Sequence, residues 1–257
     1  ELIMLDAKSL SEMGVERLTD FMGNPDLNSY RNKPEDDDYA NFFLHPWVVK
    51  SVLNSCVTNK DSISVLELGA GNGSNGRTLC KLLNTEKALH LIHLDFFDEN
   101  LLEASRRNNE FAKLHSNFSF QCIQADLKSP RTREKLIASL HNSIDVAFSI
   151  KFLHNTPIKV TRQIARFLSS VTTFGGVFIL QCYGVRRWED EIINGLKRIK
   201  GHGYSNSVCF DRLLARRLLK STGFELVYKT TNRAVCKEKS LGHHEDARYD
   251  YYFEKIR

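Results

Sequence analysis

The residues best suited to binding a ligand lie in the glycine loop, residues 69–76. The run 64–68 before it is apolar enough for a buried strand of a parallel sheet. Residues 77–83 after it place their leucines on one helical face. Glycines let the backbone turn sharply and let a ligand approach without meeting a Cβ, and the amides that open the next helix favour an anionic or polar group. The glycines of this loop are Gly69, Gly71, Gly73 and Gly76.

Two aspartates follow later strand-like segments. Asp95 ends the apolar segment 88–94, and Asp126 comes shortly after the alternating segment 118–124. Ligands of open α/β sheets bind at the carboxyl ends of the strands, where a carboxylate can accept hydrogen bonds from both hydroxyls of a ribose. Asp95 is the strongest single candidate for this role. A charge at the start of the next helix is the alternative, although Asp98 is better placed for it.

The glycine loop fits two classes of ligand. Gly71-x-Gly73-x-x-Gly76 satisfies the dinucleotide fingerprint, with Asp95 at about the right distance for a ribose. Glu67 argues against that interpretation, since a carboxylate there would repel a pyrophosphate. The pattern Glu67-x-Gly69-x-Gly71-x-Gly73 resembles the first motif of the class I S-adenosyl-L-methionine (SAM) dependent methyltransferases. A glycine turn without a ligand is the remaining alternative.

This resemblance implies SAM as the cofactor, with S-adenosyl-L-homocysteine (SAH) as its product, and assigns roles to several residues. Glu67 would face the cationic methionine end, and Asp95 would accept hydrogen bonds from the ribose. Asp126 would meet the adenine amino group, with Leu127 packed on the ring. The other implied cofactor contacts are Gly69, Ala70, Gly71, Gly73, Phe96 and Ser149.

Segment 149–155 carries the residues nearest to the chemistry. Its sequence Ser-Ile-Lys-Phe-Leu-His-Asn is similar to a segment of many small-molecule and some RNA-cap methyltransferases. The similarity implies that His154 is the catalytic candidate, as a general base or a hydrogen-bonding partner of the acceptor. A histidine that bonds the backbone at the next helix start is the alternative. Lys151 is assigned to the substrate side. The sulfonium of SAM is already activated, so positioning supplies most of the acceleration in this family.

Strands and helices alternate along the chain, which predicts an α/β fold. The resemblance implies a seven-stranded, mostly parallel sheet with helices on both faces and an antiparallel last strand. Gly175 and Gly176 match the turn that introduces the fifth strand in this family. Segments 224–228 and 248–253 are predicted to form an antiparallel hairpin at the sheet edge.

The domain prediction is an N-terminal cap or lid at residues 1–46 and a SAM-dependent methyltransferase domain at 47–257. Tyr39 and Phe43 belong to an aromatic run that could cover the ligand or pack on a sheet edge. By resemblance they are substrate-side candidates. Trp188 and Tyr204 are assigned to the substrate side as well, because they could line an acceptor pocket.

A basic insertion is predicted at about residues 184–220. It carries five more basic than acidic residues, which equals the formal net charge of +5 of the whole chain. Such a segment could attract an anionic acceptor such as RNA. A solvated helix with an apolar stripe is the favoured alternative.

The composition also indicates whether the protein meets a membrane, which compartment it occupies and whether it binds a metal. The longest apolar runs have strand length, so we expect no membrane partner. Six scattered cysteines without a C-x-x-C pair suit reduced thiols in a cytoplasmic protein. No metal is expected, because a solvated turn explains the cluster 243–246 better than a zinc site does.

The sequence therefore predicts a methyltransferase that acts on a small-molecule acceptor. An enzyme that methylates RNA, either a cap or a structured RNA, is the first alternative. A methyltransferase-like binding or scaffold protein without turnover is the second. DNA-base methylation ranks lower, since segment 149–155 is not followed by a Pro-Cys pair and contains no Asn-Pro-Pro-Tyr or Asp-Pro-Pro-Tyr. The sequence names no partner protein.

Overall fold

The protein builds one mixed β-sheet with helices packed against it. A computed structural model describes residues 2–4, 59–83, 86–150, 152–153, 158–184, 217, 219–232 and 247–257. The strands are β1 (Leu2–Met4), β2 (Ser62–Leu68), β3 (Ala88–Asp95), β4 (Phe118–Gln124), β5 (Ile144–Ile150), β6 (Thr172–Gly184), β7 (Phe224–Asn232) and β8 (Ala247–Lys255). The helices are α1 (Ser74–Leu83), α2 (Asp98–Leu114), α3 (Pro130–Leu140) and α4 (Ile158–Val171).

The strand order across the sheet is β1-β4-β3-β2-β5-β6-β8-β7. Every pair from β1 to β6 is parallel, and β8 is antiparallel to both β6 and β7. The predicted seven-stranded sheet with an antiparallel last strand is thereby confirmed. The short strand β1 adds an eighth member beside β4, from the segment that the sequence analysis assigned to a cap. Three residues are too few to show a strand period, so the sequence pattern could not reveal it.

Apolar residues cover both faces of the sheet and form two layers of core. The layer that includes Leu79 of α1 and Phe111 of α2 packs on one face. The layer that includes Leu136 of α3 and Ile164 of α4 packs on the other. Parallel strands buried on both faces need apolar side chains at successive positions, and all seven residues of β5 are buried. The prediction of helices on both faces is confirmed.

The double glycine at 175–176 lies inside β6. The sequence analysis expected a turn before this strand, but β6 begins at Thr172 and continues through the glycines. Its register to β5 shifts between the pairs Ile144–Thr172 and Val146–Val177, and Gly175 has φ +74°. Extra residues on one strand produce such a bulge, and glycine tolerates the positive φ.

Two charged side chains bind backbone groups at the amino ends of the parallel strands, the end of the sheet opposite the glycine loop. Asp145, near the start of β5, accepts a hydrogen bond from the Ser64 amide at 2.9 Å and pairs with Lys60. Lys255, at the end of β8, is buried and donates to the Thr172 carbonyl at 2.7 Å. Both charges satisfy backbone groups that strand pairing leaves without a partner.

Among the described residues, no helix combines the length and the apolar character needed to cross a lipid bilayer.

Candidate cofactor-binding site

The glycine loop leaves β2 in a tight turn against β3. The amides of Gly69 and Ala70 both donate to the carbonyl of Leu94, at 2.9 and 3.1 Å. Gly69, Gly71 and Gly73 have φ values of +70°, +54° and +76°. L-residues with a side chain avoid this left-handed region, so the alternating glycines of the sequence are required by the backbone itself.

The three left-handed glycines differ in what surrounds them. A Cβ on Gly69 would lie 2.6–2.8 Å from atoms of the Phe152 side chain. A Cβ on Gly73 would lie 3.0 Å from Cε1 of His93. A Cβ on Gly71 would have no atom of the described residues within 4 Å, its two chain neighbours apart. Gly69 and Gly73 therefore make room for the protein's own side chains, whereas Gly71 presents bare backbone to open space.

Asp95 ties the end of β3 to the glycine loop. Its Oδ2 accepts from the Gly71 amide at 2.8 Å, and its Oδ1 accepts from the Phe97 amide at 2.9 Å. The carboxyl group is packed closely enough that desolvation raises the pKa of Asp95, yet the residue keeps partial exposure. The predicted strand-end carboxylate therefore lies beside the open face of Gly71. The Asn100 side chain and the Phe96 amide also hydrogen-bond to this carboxylate.

Asp126 and Leu127 follow the neighbouring strand β4. The Oδ1 of Asp126 accepts from the Lys128 amide at 2.9 Å, and burial raises the pKa of this carboxyl group. Leu127 is buried in the core layer of α3 and α4, and its carbonyl accepts from Nη1 of Arg133 at 2.6 Å. The Ala125 amide donates to the Asp95 carbonyl at 2.8 Å. The two predicted ligand acids are thus joined through adjacent strand ends.

Glu67 lies in the protein interior. It is 1% exposed, and its Oε2 lies 2.8 Å from Nδ1 of His93. The ring N–H is not aligned on the oxygen, so the contact has the distance of an ion pair without hydrogen-bond geometry. A Cβ on Gly76 of α1 would lie 2.7 Å from the same Oε2. Glu67 therefore points beneath α1, and its predicted role at the methionine end of the cofactor stays a prediction.

Ser149 lies at the end of β5 and Phe96 directly after β3, the two strands that flank β2. Ser149 pairs with Leu68 in the sheet and is fully buried, with no hydrogen bond from its Oγ to the described residues. Phe96 is partly exposed, and its carbonyl accepts from Nε2 of Gln124 at 3.1 Å. Both residues lie at the carboxyl edge of the parallel strands, where the sequence analysis expected cofactor contacts.

The remaining predicted residues lie outside the described part of the chain. They are the catalytic candidate His154 and the substrate-side candidates Tyr39, Phe43, Lys151, Trp188 and Tyr204. Most of the basic insertion is also outside it. Within the described ranges no group of three His, Cys, Asp or Glu side chains is arranged to hold a metal ion.

The structure also brings residues to the site that sequence reasoning missed. Phe152 packs on Gly69, while His93, Asn108 and Arg77 lie buried behind the loop. One signal was visible in the sequence: His93 is a polar residue at an inward position of the otherwise apolar segment 91–94. Phe152 gave no comparable signal, because its partner is defined only by the fold.

Solved structures with the same architecture identify the fold. Magnesium protoporphyrin IX methyltransferase from Synechocystis PCC 6803 with bound SAH aligns with a TM-score of 0.54 at 16% identity, covering 89% of this chain and 91% of that chain. The same enzyme with bound SAM aligns with a TM-score of 0.53 at 15% identity, over 92% and 95%. The chain has the class I methyltransferase fold.

Two further structures show how widely this fold is used. The cyclopropane synthase MmaA2 from Mycobacterium tuberculosis aligns with a TM-score of 0.55 at 10% identity, over 88% of this chain and 96% of that chain. The [4+2]-cyclase SpnF aligns with a TM-score of 0.53 at 14% identity, over 82% and 80%. No protein-family model matches the sequence, and no curated protein matches it. The fold is shared by proteins of different activity, so function must be argued from the site.

Proposed function

We propose that this protein is a SAM-dependent methyltransferase with a small-molecule acceptor. The observation that carries the proposal is the junction of Asp95 and Gly71. A strand-end carboxylate lies directly beside a left-handed glycine whose added Cβ would have no atom of the described residues within 4 Å, its two chain neighbours apart. A nucleoside ribose needs hydroxyl acceptors and close backbone approach, and this junction offers both.

The residues present fit the cofactor. Asp95 would accept hydrogen bonds from the ribose hydroxyls, and Gly71 would let the ligand lie against the loop backbone. Asp126 and Phe96, at neighbouring strand ends, would meet the adenine. The bound cofactor supplies an activated methyl group, which leaves the protein to orient the acceptor for in-line attack.

The proposed small-molecule acceptor is supported by the proteins that share this fold. Magnesium protoporphyrin IX methyltransferase is one aligned protein of the same architecture. The RNA alternative depends on the basic insertion at about 184–220, most of which lies outside the described residues. Nothing in the described ranges favours RNA, so the small molecule is the acceptor class we propose to test first.

Calorimetric binding of SAH tests the cofactor site. We expect wild type to bind, and Asp95→Ala to bind at least tenfold more weakly, because hydrogen bonds to a charged group contribute about 1.5–3 kcal/mol each. Asp145→Ala is the matched control. This substitution also removes a carboxylate that accepts from a backbone amide, but at the amino ends of the parallel strands, opposite the glycine loop. We expect its folded form to bind SAH like wild type.

The outcomes separate the hypotheses. A folded wild type that binds neither SAH nor SAM would support the scaffold alternative and contradict the proposal. Binding of NADH in place of SAH would favour the dinucleotide interpretation of the loop. If SAH binds, incubation with methyl-labelled SAM should transfer label to a component of a metabolite extract. Transfer to total RNA alone would contradict the small-molecule acceptor.

A further inference from the structure

Four polar side chains form a continuous buried chain behind the glycine loop. We call it the buried polar chain. Its members are Glu67 on β2, His93 on β3, Asn108 on α2 and Arg77 on α1, with exposures of 1%, 0%, 0% and 2%. Arg77 is among the largest fully buried side chains of the described residues. Charged groups are seldom so deeply buried unless they are paired.

The donor groups of Arg77 and Asn108 define the direction of the two hydrogen bonds within this chain. Nη1 of Arg77 lies 3.4 Å from Oδ1 of Asn108, which must accept because a guanidinium can only donate. The amide nitrogen of Asn108 then faces Nε2 of His93 at 2.7 Å and donates to it. Nδ1, the other ring nitrogen of His93, faces Glu67 at 2.8 Å. Arg77 and Glu67 are thus connected through Asn108 and His93.

The chain ends on the glycine loop. The same Nη1 of Arg77 donates to the Asn72 carbonyl at 3.1 Å. Asn72 in turn accepts from the Ser74 amide through its side chain at 3.1 Å, which closes the turn into α1. Asn72 stands between Gly71, which carries the open face, and Gly73. The buried cation therefore holds the residue next to the surface that would meet the cofactor.

Two glycines of the loop are explained by this chain. A Cβ on Gly73 would lie 3.0 Å from Cε1 of His93, and a Cβ on Gly76 would lie 2.8 Å from the same atom. Both glycines let α1 approach β3 closely enough to enclose the polar groups. The glycine pattern thus serves two purposes, one toward the ligand at Gly71 and one toward the interior at Gly73 and Gly76.

We propose that Arg77 is a positioning residue for cofactor binding. It holds the Asn72 carbonyl and so keeps the glycine loop in its ligand-binding shape, while Asn108, His93 and Glu67 fix its own orientation. The inference rests on the proposed function for the identity of the ligand. The control of loop shape can be measured without any ligand.

The test compares Arg77→Met with Lys255→Met. Lys255 is also a buried cation that donates to a backbone carbonyl, but it lies at the amino ends of the parallel strands, opposite the glycine loop. We expect both variants to unfold at lower temperature. In the folded state only Arg77→Met should show faster hydrogen exchange at the Gly73 amide by NMR, and only it should lose SAH affinity, by tenfold or more. Loss of stability alone would affect the two variants alike.

Arg77→Lys provides a second measurement if Arg77→Met does not fold. It keeps the charge, but a single ammonium lacks the planar fork of the guanidinium, so we expect faster exchange at Gly73 and at least threefold weaker binding of SAH. Wild-type exchange and affinity in a folded Arg77 variant would overturn the proposal. If wild type binds no SAH, the proposed function fails, while unequal exchange in the Arg77 and Lys255 variants still supports loop positioning.

Discussion

Substituting Gly71 tests whether the open face of the glycine loop is the cofactor surface. Gly71→Ala adds one methyl group at φ +54°, and apart from the two chain neighbours no described residue would have an atom within 4 Å of it. Gly175→Ala adds the same group at φ +74° in the bulge of β6, and the same holds there. The two substitutions therefore impose similar backbone strain and create no clash with the described residues.

The expected cost to folding follows from the backbone alone. A residue with a Cβ in the left-handed region loses about 1–2 kcal/mol. Replacing glycine also restricts the unfolded chain, which offsets this by about 0.4–1 kcal/mol. About 1 kcal/mol of net destabilisation remains, and for a chain of this size that corresponds to a Tm lower by about 2–4 °C. We expect this shift in both variants.

Ligand binding should distinguish Gly71→Ala from Gly175→Ala. If SAM and SAH lie against Gly71, the added methyl group occupies ligand space and should weaken SAH binding at least tenfold, about 1.4 kcal/mol. Gly175→Ala should bind like wild type. Calorimetry at a temperature well below both Tm values measures this difference. Equal, wild-type affinity in the two variants would refute the argument that the open face of Gly71 receives the cofactor.

Three further predictions concern other contacts. Gly69→Ala should destabilise more than Gly71→Ala, because its Cβ would lie 2.6 Å from the ring of Phe152, and adding Phe152→Ala should restore part of the loss in denaturant titrations. Lys255→Met should lower the free energy of unfolding by about 2–3 kcal/mol, since buried carbonyls lose a charged donor; an unchanged denaturant midpoint would contradict this. SAH affinity should fall on acidification, starting at a higher pH than an ordinary aspartate would give, because burial raises the pKa of Asp95 and its carboxylate form accepts the amide hydrogen bonds. The contribution of Asp95 to the free energy of unfolding should have the opposite pH dependence. Because the folded state raises the pKa of Asp95, this contribution is fully present below the unfolded pKa and is lost as the pH rises through the folded pKa.

The sequence predicted the architecture well because its signals are local and repeated. Apolar runs, glycines and helical leucine patterns predicted β2, α1, β3 and β4 close to their observed bounds. The strand-end position of Asp95 and the turn at Gly69–Gly73 followed from the same pattern. These features depend on backbone conformation and strand burial, which short stretches of sequence encode directly.

The interior of the site could not be predicted in the same way. In the sequence, Arg77 is a charged residue at the start of the helical segment 77–83, and Asn108 is followed by a second asparagine in a polar stretch. Both are buried because α1 and α2 pack over His93, a contact between residues up to 31 positions apart. Burial of a polar side chain is decided by tertiary packing, and intrinsic propensity carries no information about it.

The position of β8 has a consequence for biosynthesis. Among the described strands of the finished sheet, β8 lies between β6 and β7, and β7 pairs with β8. While the ribosome is still adding residues 233–246, β7 has been made but its described neighbour β8 has not. The 13-residue strand β6 then exposes a free edge with the apolar run 177–180. Unpaired apolar edges recruit other chains, so translation that stalls or terminates before Ala247 should yield aggregates, and nascent chains should depend on chaperones until this strand emerges.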